Sequence, residues 1–164
     1  MDKLQKSGEK IKDPKYSASN ILTFVYIYLI KKYASPCILT DEQNTDIFYD
    51  VDTDSLLYGD NLGESMRDCI KRGTDIIFMP LYIYSINSGS HVNLLIYRPF
   101  KKVIERYEPH GESSRVSFEN YDENKANANL RKLFEKTIRP ELKEYTPVFK
   151  TPLEICPTKS DGFQ

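Results

Sequence analysis

Residues 90–111 read SHVNLLIYRPFKKVIERYEPHG, and both histidines of the chain, His91 and His110, fall inside them. Two apolar runs, 92–97 and 103–107, flank the turn-like Arg98-Pro99-Phe100-Lys101. Strand-forming residues on both sides of a proline-containing turn predict a β-hairpin. With the turn centred between Pro99 and Phe100, the numbers of facing residues sum to about 199, which sets His91 directly opposite Glu108. Facing residues of an antiparallel pair hold their Cβ atoms about 4.5–5.5 Å apart. An imidazole and a carboxylate then meet at the open end of a rigid hairpin, as a general base and the acid that orients it do. Register is the sensitive step, because a loop one residue longer or shorter turns Glu108 to the opposite face.

The 164 residues suit one domain with a sizeable core. A net charge of −1 argues against a nucleic-acid surface or a polybasic membrane anchor. Cys37, Cys69 and Cys156 are odd in number and form no C-x-x-C pair, and the chain has no N-x-S/T sequon. Those features favour a reducing intracellular home over secretion. The longest apolar run, 21–30, is too short for a bilayer, which needs about 20 residues. It also starts late and lacks a small-x-small cleavage site.

Around the hairpin the chain reads as an α+β domain, a small central β-sheet flanked by helices. Residues 1–16 are polar and Lys-rich, a flexible arm ahead of a single domain over 17–164. A helix is expected over 17–33, with a strand as the alternative. The segment 41–60 is acidic, and Asp50-x-Asp52-x-Asp54 resembles the opening of a calcium loop. Ser55 stands where that loop needs Gly and Asn61 where it needs Glu, so a solvated acidic loop is the expectation. A second helix starts at Asp60 with Leu62, Met66, Cys69 and Ile70 on one face, and Gly73 stops it. Residues 75–84 (DIIFMPLYIY) predict a buried strand, in which Pro80 implies a bulge or an edge. A third helix covers 122–138, with Ala126, Leu130, Leu133, Phe134 and Thr137 as its stripe and Pro140 as its end. Residues 146–155 read as a short, broken strand.

Imidazole changes charge near neutral pH, which suits His91 to proton transfer, and a carboxylate on its second nitrogen fixes the tautomer. The alternative is an ordinary strand-end histidine beside a chance acid. Asn93 and Arg106 share its face in this register, as substrate contacts or as polar positions on a partly covered face. A metal site of His91, Glu108 and His110 lacks a further ligand at suitable spacing, so neither metal nor cofactor is expected.

The string His91-x-Asn93-x-Leu95-Ile96, followed by Arg106-Tyr107-Glu108-Pro109-His110-Gly111, resembles the cysteine proteases of the adenovirus maturation protease and SUMO-specific protease clan, especially those of large DNA viruses. The likeness covers about 74–111 and, more loosely, 145–164. It implies a papain-like or adenovirus-protease-like domain in which His91 and Glu108 are the catalytic base and acid. Gln164 stands where an oxyanion-holding glutamine is expected. The implied activity is thiol endopeptidase action on viral precursors or on proteins bearing ubiquitin-like tails, so the expected partner is a polypeptide. Two departures stand out. Val92 replaces the usual Trp, and the nucleophilic cysteine that should follow the glutamine is not among these residues. Cys156 precedes Gln164, the wrong order for the clan. A piece of a longer enzyme, or an inactive relative, is therefore expected. A protein-binding module on the same scaffold and a clan-related acetyltransferase are the alternatives.

Overall fold

The computed structural model describes residues 28, 31–32, 36–40, 45–108, 118, 120–138 and 143–155. His110, Gly111, Cys156 and Gln164 lie outside them, as do the 1–16 arm and most of the helix expected over 17–33. The chain divides into two compact units, Met1–Pro36 and Cys37–Gln164. Of the first unit, Tyr28, Lys31, Lys32 and Pro36 are described, and the Lys32 ammonium sits 5.7 Å from the centre of the Tyr28 ring.

The fold is mixed α+β around a seven-stranded sheet. Its strands are β1 (Pro36–Ile38), β2 (Ile47–Asp50), β3 (Ser55–Tyr58), β4 (Ile76–Ser85), β5 (Gly89–Arg98), β6 (Val103–Tyr107) and β7 (Val148–Lys150). The helices are α1 (Leu62–Lys71), α2 (Glu123–Ile138) and the short α3 (Pro152–Ile155). Neighbours run β3-β2-β4-β5-β6-β7, and β1 also pairs with β4. The β2–β4 and β6–β7 pairs are parallel, whereas β2–β3, β4–β5 and β5–β6 are antiparallel.

Period-two alternation puts one face of this sheet in the core. Ile47 and Tyr49, Met79, Leu81 and Ile83, Leu95 and Tyr97, Ile104 and Phe149 are all buried there. Leu62, Met66, Cys69 and Ile70 of α1 join the same cluster, as expected from their spacing. So do Ala126, Leu130, Leu133, Phe134 and Ile138 of α2. Gly73 ends α1 with φ +77, a left-handed conformation that glycine adopts without Cβ strain.

Three local expectations need correction. The acidic stretch is not simply a solvated loop: Ile47 to Tyr58 folds as a β2–β3 hairpin around a turn between Asp50 and Ser55. Residues 146–155 are a three-residue strand followed by a helical turn, in place of one broken strand. Pro80, expected at a bulge or an edge, stands mid-strand opposite Leu94. The Phe78 carbonyl accepts from Leu39 N–H and the Tyr84 carbonyl from Val51 N–H, so the even-numbered backbone groups of β4 face away from β5. Pro80 shares that side. Its missing N–H therefore takes no bond from the β4–β5 ladder.

Candidate functional site

The β5–β6 hairpin turns through a 3-10 segment, Pro99–Lys101, and then Lys102 in the left-handed region (φ 55, ψ 46). Lys102 N–H closes the turn on the Pro99 carbonyl at 3.0 Å. Four residues thus separate Arg98 from its partner Val103, and paired numbers sum to 201. The turn centre assumed from sequence is off by one residue and the register by two. Since side chains alternate every residue, a shift of two preserves the face. Continued beyond its last pair, Leu94↔Tyr107, the register sets Asn93 opposite Glu108, with His91 two residues further along. His91 therefore meets Glu108 diagonally, across a span that the longer side chains bridge.

The contact is close. His91 Nε2 lies 2.9 Å from Glu108 Oε1 and 2.8 Å from Oε2. The Glu108 side chain has no exposed surface, while His91 keeps 14% of its side chain exposed. A buried carboxylate therefore grips a histidine that reaches the surface, the geometry of an orienting acid behind a proton-transfer group.

Behind this pair a polar network runs into the core. Asn93 donates from Nδ2 to Glu108 Oε2 at 2.6 Å and accepts at Oδ1 from Arg106 Nε at 2.6 Å. Arg106 Nη1 donates to Asn127 Oδ1 at 2.8 Å, and Nη2 donates to the Tyr121 hydroxyl at 2.7 Å. Glu123 completes the cage, with Oε1 3.5 Å from Nη1. Guanidinium groups only donate, and this fixes the polarity of the chain. Arg106 compels the Asn93 oxygen to face it, so the Asn93 amide must point its N–H at Glu108. Glu108 thus accepts from Asn93 and, when ionised, also accepts Nε2–H of His91. Burial pushes the Tyr121 phenol above its ordinary value, and the Arg106 cation pulls it partly back.

Arg106 has no exposed surface and Asn93 is 1% exposed, so both stand enclosed behind Glu108. Sequence reasoning missed Asn127, Tyr121 and Glu123. The signal for Asn127 is its place beside Ala126 and one turn before Leu130, on the buried stripe of α2. A polar residue on such a stripe needs a partner inside.

The calcium-like carboxylates do not converge. Asp50 accepts from Asp52 N–H within its own turn at 2.9 Å. Asp52 accepts from the Ser85 hydroxyl at 2.9 Å and from Ile86 N–H at 2.8 Å. Asp54 accepts from the Tyr49 hydroxyl and lies 3.4 Å from Lys125 Nζ. Among the described residues no cluster of three or more His, Cys, Asp or Glu is placed to hold a metal ion. Cys37 and Cys69 form a disulfide with their Cα atoms 6.1 Å apart. Among the described residues no helix is long and apolar enough to cross a membrane.

Comparison with known proteins adds no relative: no family model matches the chain, and no curated protein or solved structure matches it significantly.

Proposed function

We propose that this domain carries the base–acid half of a cysteine-type endopeptidase site, with His91 as the base and Glu108 as its orienting acid. The observation that carries the reading is the grip of both buried Glu108 oxygens on Nε2 of a surface-reaching histidine. In the reaction a cysteine thiol gives its proton to His91 Nδ1 and the thiolate attacks a peptide carbonyl. His91 then returns that proton to the leaving amine, and water releases the acyl group by the same route. Glu108 holds the ring in one tautomer and stabilises the imidazolium while it exists. The resemblance assigns the oxyanion to Gln164, which lies outside the described residues. Polypeptides, viral precursors or proteins with ubiquitin-like tails, are the substrate class that goes with this reading.

Cys37 and Cys69 are joined to each other, so neither is a free thiol nucleophile in this state. That observation favours a second reading, an inert polypeptide-binding module on the same scaffold. Both are tested by offering the protein an electrophilic cysteine probe and polypeptide substrates. Cleavage that falls about 10²–10⁴-fold in His91→Ala, the usual worth of a general base, supports the peptidase. Cleavage at an undiminished rate in His91→Ala removes the assignment. Neither cleavage nor labelling of any cysteine selects the binding module, and turnover of acetyl-CoA in their place selects the acetyltransferase.

A further inference from the structure

Away from the hairpin, the Cys37–Cys69 disulfide joins β1 to α1 and forms part of the wall of a surface pocket of about 410 Å³. The Arg72 guanidinium, just past the end of α1, stands over both sulfurs: Nη2 is 3.5 Å from Cys69 Sγ and 3.6 Å from Cys37 Sγ. Lys71 and Asp68 line the same pocket, so among the described residues its lining carries two cations and one carboxylate. Both cysteines also belong to the buried core cluster, and this pocket wall is where the bond meets the surface, beneath a cation that stabilises a leaving thiolate.

We propose that Cys37–Cys69 is a thiol–disulfide exchange site that takes a small anionic thiol of the glutathione class. Cys37 is 7% exposed and Cys69 is fully buried, so the incoming thiolate attacks Cys37 Sγ. A bond forms between the thiol's sulfur and Cys37, the Cys37–Cys69 bond breaks, and Cys69 leaves as a thiolate facing Arg72. A second thiol attacks the sulfur of the first, releasing the small disulfide and the Cys37 thiol. Two electrons pass from the two small thiols to the protein, and their two protons end on Cys37 and Cys69. The reverse reaction uses the small disulfide as oxidant. Lys71 and Arg72 match the carboxylates of such a thiol, which selects it over a cationic one. Neither His91 nor Glu108 takes part, so this site stands or falls apart from the peptidase reading.

The test uses the full chain carrying Cys156→Ser, equilibrated with graded ratios of glutathione to glutathione disulfide, acid-quenched, alkylated and weighed intact. Two thiols appearing together as glutathione rises, with a mixed disulfide on Cys37 in the Cys69→Ser variant, are expected. Arg72→Gln should slow reduction at least fivefold at neutral pH. On the unmodified site, raising salt from 0.05 to 0.5 M should slow glutathione but not cysteamine, because screening removes the attraction between pocket and anion. Three results overturn the proposal: two free thiols even in excess glutathione disulfide, a bond that glutathione does not reduce, or rates indifferent both to salt and to Arg72→Gln.

Discussion

Arg106 is the largest fully buried side chain among the described residues, and a lone guanidinium there would be prohibitive. It is tolerated because Asn93, Asn127, Tyr121 and Glu123 take up its donors, while Glu108 supplies a compensating charge one amide away. Removing one member of a buried charge network costs about 3–5 kcal/mol, since the remaining charge is left uncompensated. Arg106→Leu should therefore lower unfolding stability by about that much in urea titrations. Arg106→Lys keeps the charge, but a compact ammonium cannot serve three partners set out for a planar fork, and about 1–3 kcal/mol should be lost. The order of the two variants is the informative result: if Arg106→Leu is no worse than Arg106→Lys, charge compensation is not what holds Glu108 in place. Asn93→Leu tests the next link, because Glu108 then loses a hydrogen bond while both charges stay. It should cost about 1–3 kcal/mol and loosen the His91 ring, seen as broadened imidazole resonances.

At the scale of elements, turns carry the decisive information. Lys102 closes the β5–β6 hairpin at φ 55, where an L-residue with a Cβ is strained by about 1–2 kcal/mol. Glycine relieves that strain but gives back about 0.5–1 kcal/mol in unfolded-state entropy. Lys102→Gly should then gain roughly 0.5–1 kcal/mol in the same titration, and a loss would mean that the Lys102 side chain itself holds the turn. The β2–β3 turn is anchored differently, by the Tyr49 hydroxyl donating to Asp54. That hydrogen bond, and secondarily Lys125, holds the Asp54 carboxyl below its ordinary value. A depressed acid contributes stability above its unfolded value of 3.8 and loses it as pH falls through the lower folded value. Acid should therefore weaken this turn only below about pH 4. Tyr49→Phe should raise the Asp54 titration midpoint in carboxyl NMR, and an unmoved midpoint would leave Lys125 as the cause. These turns also explain what could be read from sequence. The hairpin, α1 and α2 were legible because each repeats its apolar residues at its own period over ten residues or more. The register was not, because a positive-φ lysine leaves no mark in sequence, and the His91–Glu108 pairing survived only because the error was even. The β2–β3 hairpin hid because its three carboxylates outweighed the alternation of buried Ile47 and Tyr49 with half-buried Phe48 and Asp50.

At the scale of the molecule, the sheet is built outward from β4, which holds β5 along one edge and β1 and β2 in succession along the other. β5 therefore rests on a strand paired along both sides, and His91 faces Ile83 across it. β1 is weak by comparison: three residues cannot pair for long, and Pro36 has no N–H to give. The covalent bond from Cys37 to Cys69 makes up for this by tying β1 to α1, whose apolar stripe is fixed in the core. Closing a loop over a sequence separation of 32 should restrict the unfolded chain by about 4 kcal/mol in the chain-entropy picture. That is a large share of the 5–15 kcal/mol typical of a whole domain. Reduction should therefore shift the urea midpoint down without changing the folded far-UV spectrum. For a chain of this size the thermal midpoint should fall by roughly 8–15 °C. The Cys37→Ser/Cys69→Ser double variant should match the reduced protein and be insensitive to dithiothreitol. An unmoved midpoint, with two newly alkylatable thiols confirmed by mass, would mean that β1 is held by its backbone pairing with β4 alone and that the bond adds nothing to the fold.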